Sequence, residues 1–117
     1  MKALTSLPEL DDCLIASAEK PVLIFKHSTA CPISSQAYHE VAKYIQNASE
    51  SDPKVYLVKV IEARPVSNQI ADELALQHKS PQLILVKDRS VLWSSSHYGI
   101  NEQAIREAVT GRRHSQS

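Results

Sequence analysis

The chain has 117 residues, of which 43% are hydrophobic and 22% charged, a balance typical of one globular domain. Thirteen basic and thirteen acidic residues give a formal net charge of zero, which argues against nucleic acid or an anionic membrane as the main partner. Two glycines are too few for the glycine-rich loops that hold nucleotide phosphates. The N-terminus lacks the apolar core of a signal peptide, so we expect a cytoplasmic protein whose two cysteines are thiols.

The apolar pattern predicts alternating strands and helices in the first half of the chain. Residues 1–7 form a short strand or an irregular lead-in, and residues 8–19 form a helix with acidic residues in its first turns. A continuous apolar strand at 22–25 precedes a helix at 32–47. A second strand at 55–61 is rich in β-branched residues.

The second half of the chain is predicted to hold a helix, a hairpin and a last helix. The third helix runs from residue 66 or 67 to His78, the hairpin strands lie at 83–86 and 91–94, and Asn101 caps a helix at 102–110. Helices that alternate with apolar strands predict a thioredoxin-like α/β domain over residues 1–111, with a central mixed sheet covered by helices on both faces. Residues 112–117 are expected to form a flexible tail.

Cys31 is the strongest chemical signal in the sequence. It follows the apolar strand and a short polar turn, and Pro32 comes directly after it. Proline is favoured at the start of a helix, so we expect Cys31 at a helix N-terminus. There the backbone N–H groups and the helix dipole favour the thiolate form of a cysteine. The pattern therefore predicts a thiol nucleophile.

Ser34 stands where a dithiol oxidoreductase has its second cysteine. A hydroxyl cannot resolve a mixed disulfide, although it can donate a hydrogen bond to a thiolate one helical turn away. The predicted chemistry therefore uses one cysteine. Cys31 attacks a disulfide sulfur, and a second thiol from elsewhere releases the mixed disulfide that forms.

Three segments are predicted to meet at the active edge of the sheet, because sites in open α/β sheets lie beyond the carboxyl ends of the parallel strands. These segments are residues 27–34, 78–82 and 96–99. The strand that begins after Pro81 starts at this edge, which places Pro81 beside Cys31.

The histidines near this edge allow more than one interpretation. His27 and His97 either have a role, which is to polarise the thiolate or to hold a carboxylate of the ligand, or are solvated loop residues without a role. His78 is interpreted as a cation at the C-terminus of the third helix. His27, Cys31 and His39 are metal-ligand types without the paired spacings of zinc sites, so no metal is expected.

The sequence also resembles a known family through four runs in matching order. They are FKHSTACPIS at 25–34, RPVSN at 64–68, HKSPQ at 78–82 and SHY at 96–98. Together they resemble the monothiol bacilliredoxins, the YtxJ-type branch of the thioredoxin superfamily, over nearly the whole chain. The resemblance implies removal of bacillithiol from client-protein mixed disulfides with Cys31 as the accepting thiol, and a cis peptide bond before Pro81.

The resemblance further implies the partners and the substrate-binding residues. The partners are S-thiolated client proteins, bacillithiol as a low-molecular-weight co-substrate with no bound cofactor, and a separate reductant system. Ser80, before the cis-proline, offers its backbone to an extended disulfide partner. Bacillithiol carries a malate group with two carboxylates, which imidazole, hydroxyl and N–H groups suit. The expected substrate-binding residues are His27, Pro32, Ser80, Pro81, Ser96 and His97.

Two other functions remain open from the sequence. In the first, the chain is a redox-sensing binding module, and a small thiol that caps Cys31 under stress changes its affinity for a partner. In the second, the chain is a dithiol oxidoreductase that uses Cys13 as the resolving thiol. Cys13 lies at helical spacing with Leu10 and Leu14, a pattern that favours a buried, inert thiol.

Overall fold

The computed structural model describes residues 1–111, which form five strands, four helices and one 3-10 turn. The strands are β1 (Lys2–Ala3), β2 (Val22–His27), β3 (Lys54–Lys59), β4 (Gln82–Lys87) and β5 (Ser90–Ser96). The helices are α1 (Leu7–Ala16), α2 (Pro32–Asn47), α3 (Arg64–Glu73) and α4 (Glu102–Thr110), and the 3-10 turn is His97–Gly99. The predicted tail at 112–117 lies outside the described residues.

The five strands form one mixed sheet in the order β1-β3-β2-β4-β5. Strands β1, β3 and β2 are parallel, whereas β4 runs antiparallel to both β2 and β5. Helices α1 and α3 pack on one face of the sheet, and α2 and α4 pack on the other. The predicted mixed α/β architecture with helices on both faces is confirmed.

Strand β2 lies at the centre of the sheet, and all six of its residues are buried. Its alternate side chains reach opposite faces, since Leu23 and Phe25 join the core under α2 and α4, while Ile24 joins the core under α1 and α3. This explains why β2 reads as a continuous apolar run rather than an alternating one.

Two helices begin and end where their capping residues predict. Asn101 accepts a hydrogen bond from the N–H of Ala104 at 2.9 Å and starts α4, and Gly111 ends it with a φ of 63°. Helix α2 occupies the predicted range, with Pro32 in its first turn. For α1, Ser6 is the capping residue, although the helix ends at Ala16 rather than at residue 19.

Other boundaries differ from the sequence prediction. Helix α3 was predicted to reach His78 but ends at Glu73, because Ala75 adopts a left-handed conformation with a φ of 51°. Strand β2 continues through His27, which pairs with Lys59 of β3. Strand β5 continues to Ser96, since its polar serines extend the ladder with β4. Backbone pairing across the sheet, which local sequence does not encode, fixes the ends of these two strands.

We expect Ile105→Ala to lower the free energy of unfolding by about 2–5 kcal/mol, because Ile105 is fully buried where α4 meets the sheet. Ile15→Ala on α1 is the matched control, since 55% of that side chain is exposed, and it should change stability by less than about 0.5 kcal/mol. Urea unfolding of both variants measures the difference. Equal losses would contradict the assignment of α4 to the core.

Candidate active site

Cys31 is the N-cap residue of α2, directly after the turn that leaves β2. Its backbone is extended, with a φ of −114° and a ψ of 122°, and its carbonyl accepts the N–H of Ser35 at 3.1 Å. The sulfur makes no capping hydrogen bond, and Cys31 is partly exposed. The fold therefore fixes the cysteine backbone and leaves the sulfur accessible to a disulfide.

The Ser34 hydroxyl joins the end of β2 to the first turn of α2. Ser34 is fully buried, its Oγ accepts the N–H of Ser28 at 3.0 Å, and it lies 2.7 Å from Nδ1 of His27. The expected hydrogen bond from Ser34 to the sulfur of Cys31 is absent from residues 1–111. Ser34 thus stabilises the turn that presents Cys31 instead of contacting the sulfur.

His27 is a buried strand residue rather than a solvated loop residue, since only 7% of it is exposed. Its ring packs against Phe25 and Tyr38, with centroid distances of 5.5 and 5.0 Å. Burial is the main cause that lowers the pKa of His27, and the charge of Lys59 lowers it further. His27 is therefore neutral at pH 7, with Nδ1 already engaged.

Pro81, Ser96 and His97 meet at the same edge of the sheet. The Ser80–Pro81 peptide bond is cis. The Pro81 carbonyl accepts the N–H of His97 at 3.1 Å, and Ser96 pairs with Gln82 in the ladder between β4 and β5. His97 has a left-handed φ of 54° and an exposed side chain. The register that pairs Gln82 with Lys26 places this loop level with the end of β2, where the turn to Cys31 begins.

A polar cluster around the buried Lys26 side chain was missed by the sequence analysis. Lys26 is fully buried, and its Nζ lies 3.1 Å from Nδ1 of His78, while the Ser67 Oγ lies 3.4 Å from the same nitrogen. Buried Ser80 Oγ and Gln82 Oε1 make no hydrogen bond within residues 1–111. A lysine in an apolar central strand was the one available signal for this cluster.

The cluster also corrects the interpretation of His78. It lies in the loop after α3, not in a helix, so no helix dipole favours its charge. Burial, followed by the charges of Lys26 and Arg64, lowers the pKa of His78. His78 is therefore a neutral acceptor for the Lys26 ammonium rather than a cation.

Cys13 lies apart from this edge, in the core under α1 and α3, with 3% of its surface exposed. Burial raises the pKa of Cys13 to about 12. A thiol without access or thiolate character is a poor nucleophile.

The comparisons with known proteins agree with this geometry. The model of the monothiol bacilliredoxin BrxC family matches residues 2–105. The chain belongs to this family. A solved protein described as a candidate oxidoreductase with a thioredoxin fold is 30% identical, with a TM-score of 0.79 over 92% of this chain and 91% of that chain.

Two thioredoxins share the fold at lower identity. The Fasciola hepatica thioredoxin is 15% identical, with a TM-score of 0.74 over 94% of this chain and 97% of its own. Mitochondrial thioredoxin 3 of Saccharomyces cerevisiae is 17% identical, with a TM-score of 0.71 over 94% and 93%. The predicted thioredoxin-like fold and the predicted class of enzyme, a thiol–disulfide oxidoreductase, are confirmed. Within residues 1–111, none of the helices has the length and apolar character to span a membrane.

Replacement of Lys26 by methionine tests the cost of the buried cation. Burial lowers the pKa of Lys26 from 10.5 to about 8. Below pH 8 the folded state therefore holds a buried ammonium, which lowers the free energy of unfolding. Above pH 8 the folded state has lost a proton that the unfolded state keeps, and this penalty is relieved progressively up to pH 10.5. Lys26→Met should therefore be more stable than wild type at pH 7 by about 2–3 kcal/mol, and the difference should shrink as the pH rises.

Urea unfolding of both proteins at intervals from pH 7 to pH 10 measures this difference. The comparison between the two proteins cancels the titration of the other groups. A stability difference that stays constant with pH would show that Lys26 is not a strained buried cation.

Proposed function

We propose that the chain removes bacillithiol from the mixed disulfides of client proteins in a reducing cytoplasm, using Cys31 alone. One observation supports this most directly. Cys31 is accessible, and the residue one helical turn after it is a serine rather than a second cysteine. Family membership supports the same chemistry, since the family is described as monothiol bacilliredoxins.

The first step is a thiol–disulfide exchange at Cys31. The Cys31 thiolate attacks the bacillithiol sulfur of the mixed disulfide, and the bond between the bacillithiol and client sulfurs breaks. The client cysteine leaves as a thiolate, which takes a proton from solvent. Cys31 then carries bacillithiol through a new disulfide, and no electrons are gained or lost overall.

The second step needs a thiol from outside the chain. Ser34 has no sulfur, and Cys13 is buried with a pKa of about 12, so neither can displace bacillithiol from Cys31. A second small thiol attacks the adduct as a thiolate, which regenerates the Cys31 thiolate and forms a small-thiol disulfide. A separate reductant system then supplies two electrons to reduce that disulfide.

The Pro81 edge is the proposed docking site for the client. The backbone of Ser80 would pair with an extended client segment as an added strand, beside Pro81 and Pro32. Ser96 and His97 flank this position, and the His97 N–H bond to the Pro81 carbonyl holds the two loops together. The client would thus reach Cys31 along the edge where the backbone groups of Ser80, Pro81 and His97 lie.

A turnover assay with a bacillithiolated client peptide tests the proposal. With excess reducing thiol, the wild type should release many equivalents of bacillithiol, whereas Cys31→Ser should release none above background. Cys13→Ser is the matched control, because it removes the buried thiol, and its kcat/KM should stay within about twofold of wild type.

Other outcomes would favour other functions. Release that stops at one equivalent would indicate the redox-sensing module, in which the adduct is the signal. Loss of turnover in Cys13→Ser, with the fold intact by circular dichroism, would favour the dithiol mechanism.

A further inference from the structure

A basic cavity lies beside Cys31, on the β3 side of the active edge. It has a volume of about 370 Å³. Its polar lining consists of Thr29, Ser35, His27, His39 and Lys59, together with the Tyr38 side chain. Lys59 carries a positive charge, His39 adds an exposed imidazole, and no carboxylate among the described residues lines the cavity. Its chemistry therefore suits an anion.

The cavity borders the turn and the first helical residues that flank Cys31. Thr29 precedes Cys31 by two residues in the same turn, and Ser35 lies in the first turn of α2. The N–H of Ser35 donates to the Cys31 carbonyl at 3.1 Å, which joins this wall of the cavity to the backbone of Cys31. The cavity therefore adjoins the turn that carries the nucleophile.

Lys59 provides the cation of this cavity. It is the last residue of β3, is exposed, and makes no ion pair within residues 1–111. His39 lies on the exposed surface of α2 and contributes a second basic group. Glu62 acts electrostatically on His27, but it lies outside the lining of the cavity. The positive charge of Lys59 is therefore available to a ligand.

His27 adds a buried hydrogen-bonding group to the wall. Its Nδ1 is engaged by Ser34, and no hydrogen bond of the described residues involves Nε2. The ring is more than nine-tenths buried, and the cavity is the opening that it lines. In the tautomer whose Nδ1 accepts the Ser34 hydroxyl proton, Nε2 carries the ring proton and can donate a hydrogen bond to an anion.

A smaller cavity between α2 and the 3-10 turn is less suited to an anion. It has a volume of about 150 Å³ and is lined by His97, Tyr98 and Glu40. The Glu40 carboxylate accepts hydrogen bonds from Lys43 and from the N–H of Glu102, which keep it ionised. A second carboxylate brought against Glu40 would be repelled.

We propose that the basic cavity formed by His27, His39 and Lys59 binds the dicarboxylate end of the small thiol while its sulfur is bonded to Cys31. The inference rests on the proposed function, since bacillithiol has two carboxylates on its malate group. It assigns the recognition of the small thiol to the β3 side of Cys31 and leaves the Pro81 side to the client. A ligand bound in this way is selected by its charge rather than by its sulfur.

Steady-state kinetics with two substrates test this assignment. One substrate is a client peptide bearing bacillithiol, and the other is the same peptide bearing 2-mercaptoethanol, which has no carboxylate. Lys59→Gln should raise KM about tenfold for the first substrate with kcat nearly unchanged, and should leave the second substrate unaffected. Lys59→Arg should restore the wild-type KM.

The controls separate this effect from general ones. Lys54→Gln, at the other end of β3, removes the same charge away from the cavity and should not change either KM. His97→Asn tests the opposite side, since asparagine tolerates the left-handed backbone at this position. If His97→Asn, rather than Lys59→Gln, raises KM for the bacillithiol substrate alone, the proposed cavity is wrong. An equal effect of Lys59→Gln on both substrates would also overturn it.

Calorimetric titration with malate distinguishes this inference from the proposed function. If the wild type binds malate, Lys59→Gln does not, and the wild type still fails to act on the bacillithiolated peptide, the cavity stands and the proposed function fails. If the wild type turns over the peptide and Lys59→Gln matches it, the proposed function stands and the cavity assignment fails.

Discussion

The contact between Ser34 and the end of β2 is the constraint on which the active edge depends. One buried hydroxyl lies 2.7 Å from Nδ1 of His27 and accepts the Ser28 N–H at 3.0 Å, so it fastens strand, turn and helix together. Cys31 lies inside the loop that these bonds close. Because Ser34 also occupies the place of a resolving thiol, one residue both shapes the turn and limits the chemistry to a single cysteine.

The central strand concentrates polar groups at its carboxyl end. Lys26 and His27 close a strand that is otherwise apolar, and Gln82 lies opposite Lys26 on β4. The side chains of Lys26 and His27 point to opposite faces of the sheet, so Lys26 contacts His78 and His27 contacts Ser34. Buried polar groups are unfavourable unless they are paired, and here the pairing connects both sides of the active edge to the sheet.

Much of this architecture could be predicted from local signals. Pro32 and Asn101 mark the starts of α2 and α4, and the apolar runs mark the central strands. Cys31 before Pro32 predicted a cysteine at a helix N-terminus, which is where the structure places it. These features depend on capping and periodicity, which the sequence displays directly.

The remaining features depend on contacts between residues far apart in the chain. Lys26 and His78 are separated by 52 positions, and no local pattern pairs them. The end of α3 depends on a left-handed Ala75, a conformation that sequence usually signals with glycine. The partner of the Ser34 hydroxyl was misjudged for a related reason, since spacing alone placed it near Cys31 and could not show that His27 was closer.

The central claim is that Cys31 alone accepts the small thiol and holds it. Mass spectrometry after a single turnover with a bacillithiolated client, without added reductant, tests this most directly. The account predicts a peptide containing Cys31 that is heavier by one disulfide-bonded bacillithiol, with an equal amount of free client thiol and an unmodified Cys13. An internal bridge between Cys13 and Cys31, seen as a loss of two hydrogens, or a freed client with no adduct on Cys31, would contradict it.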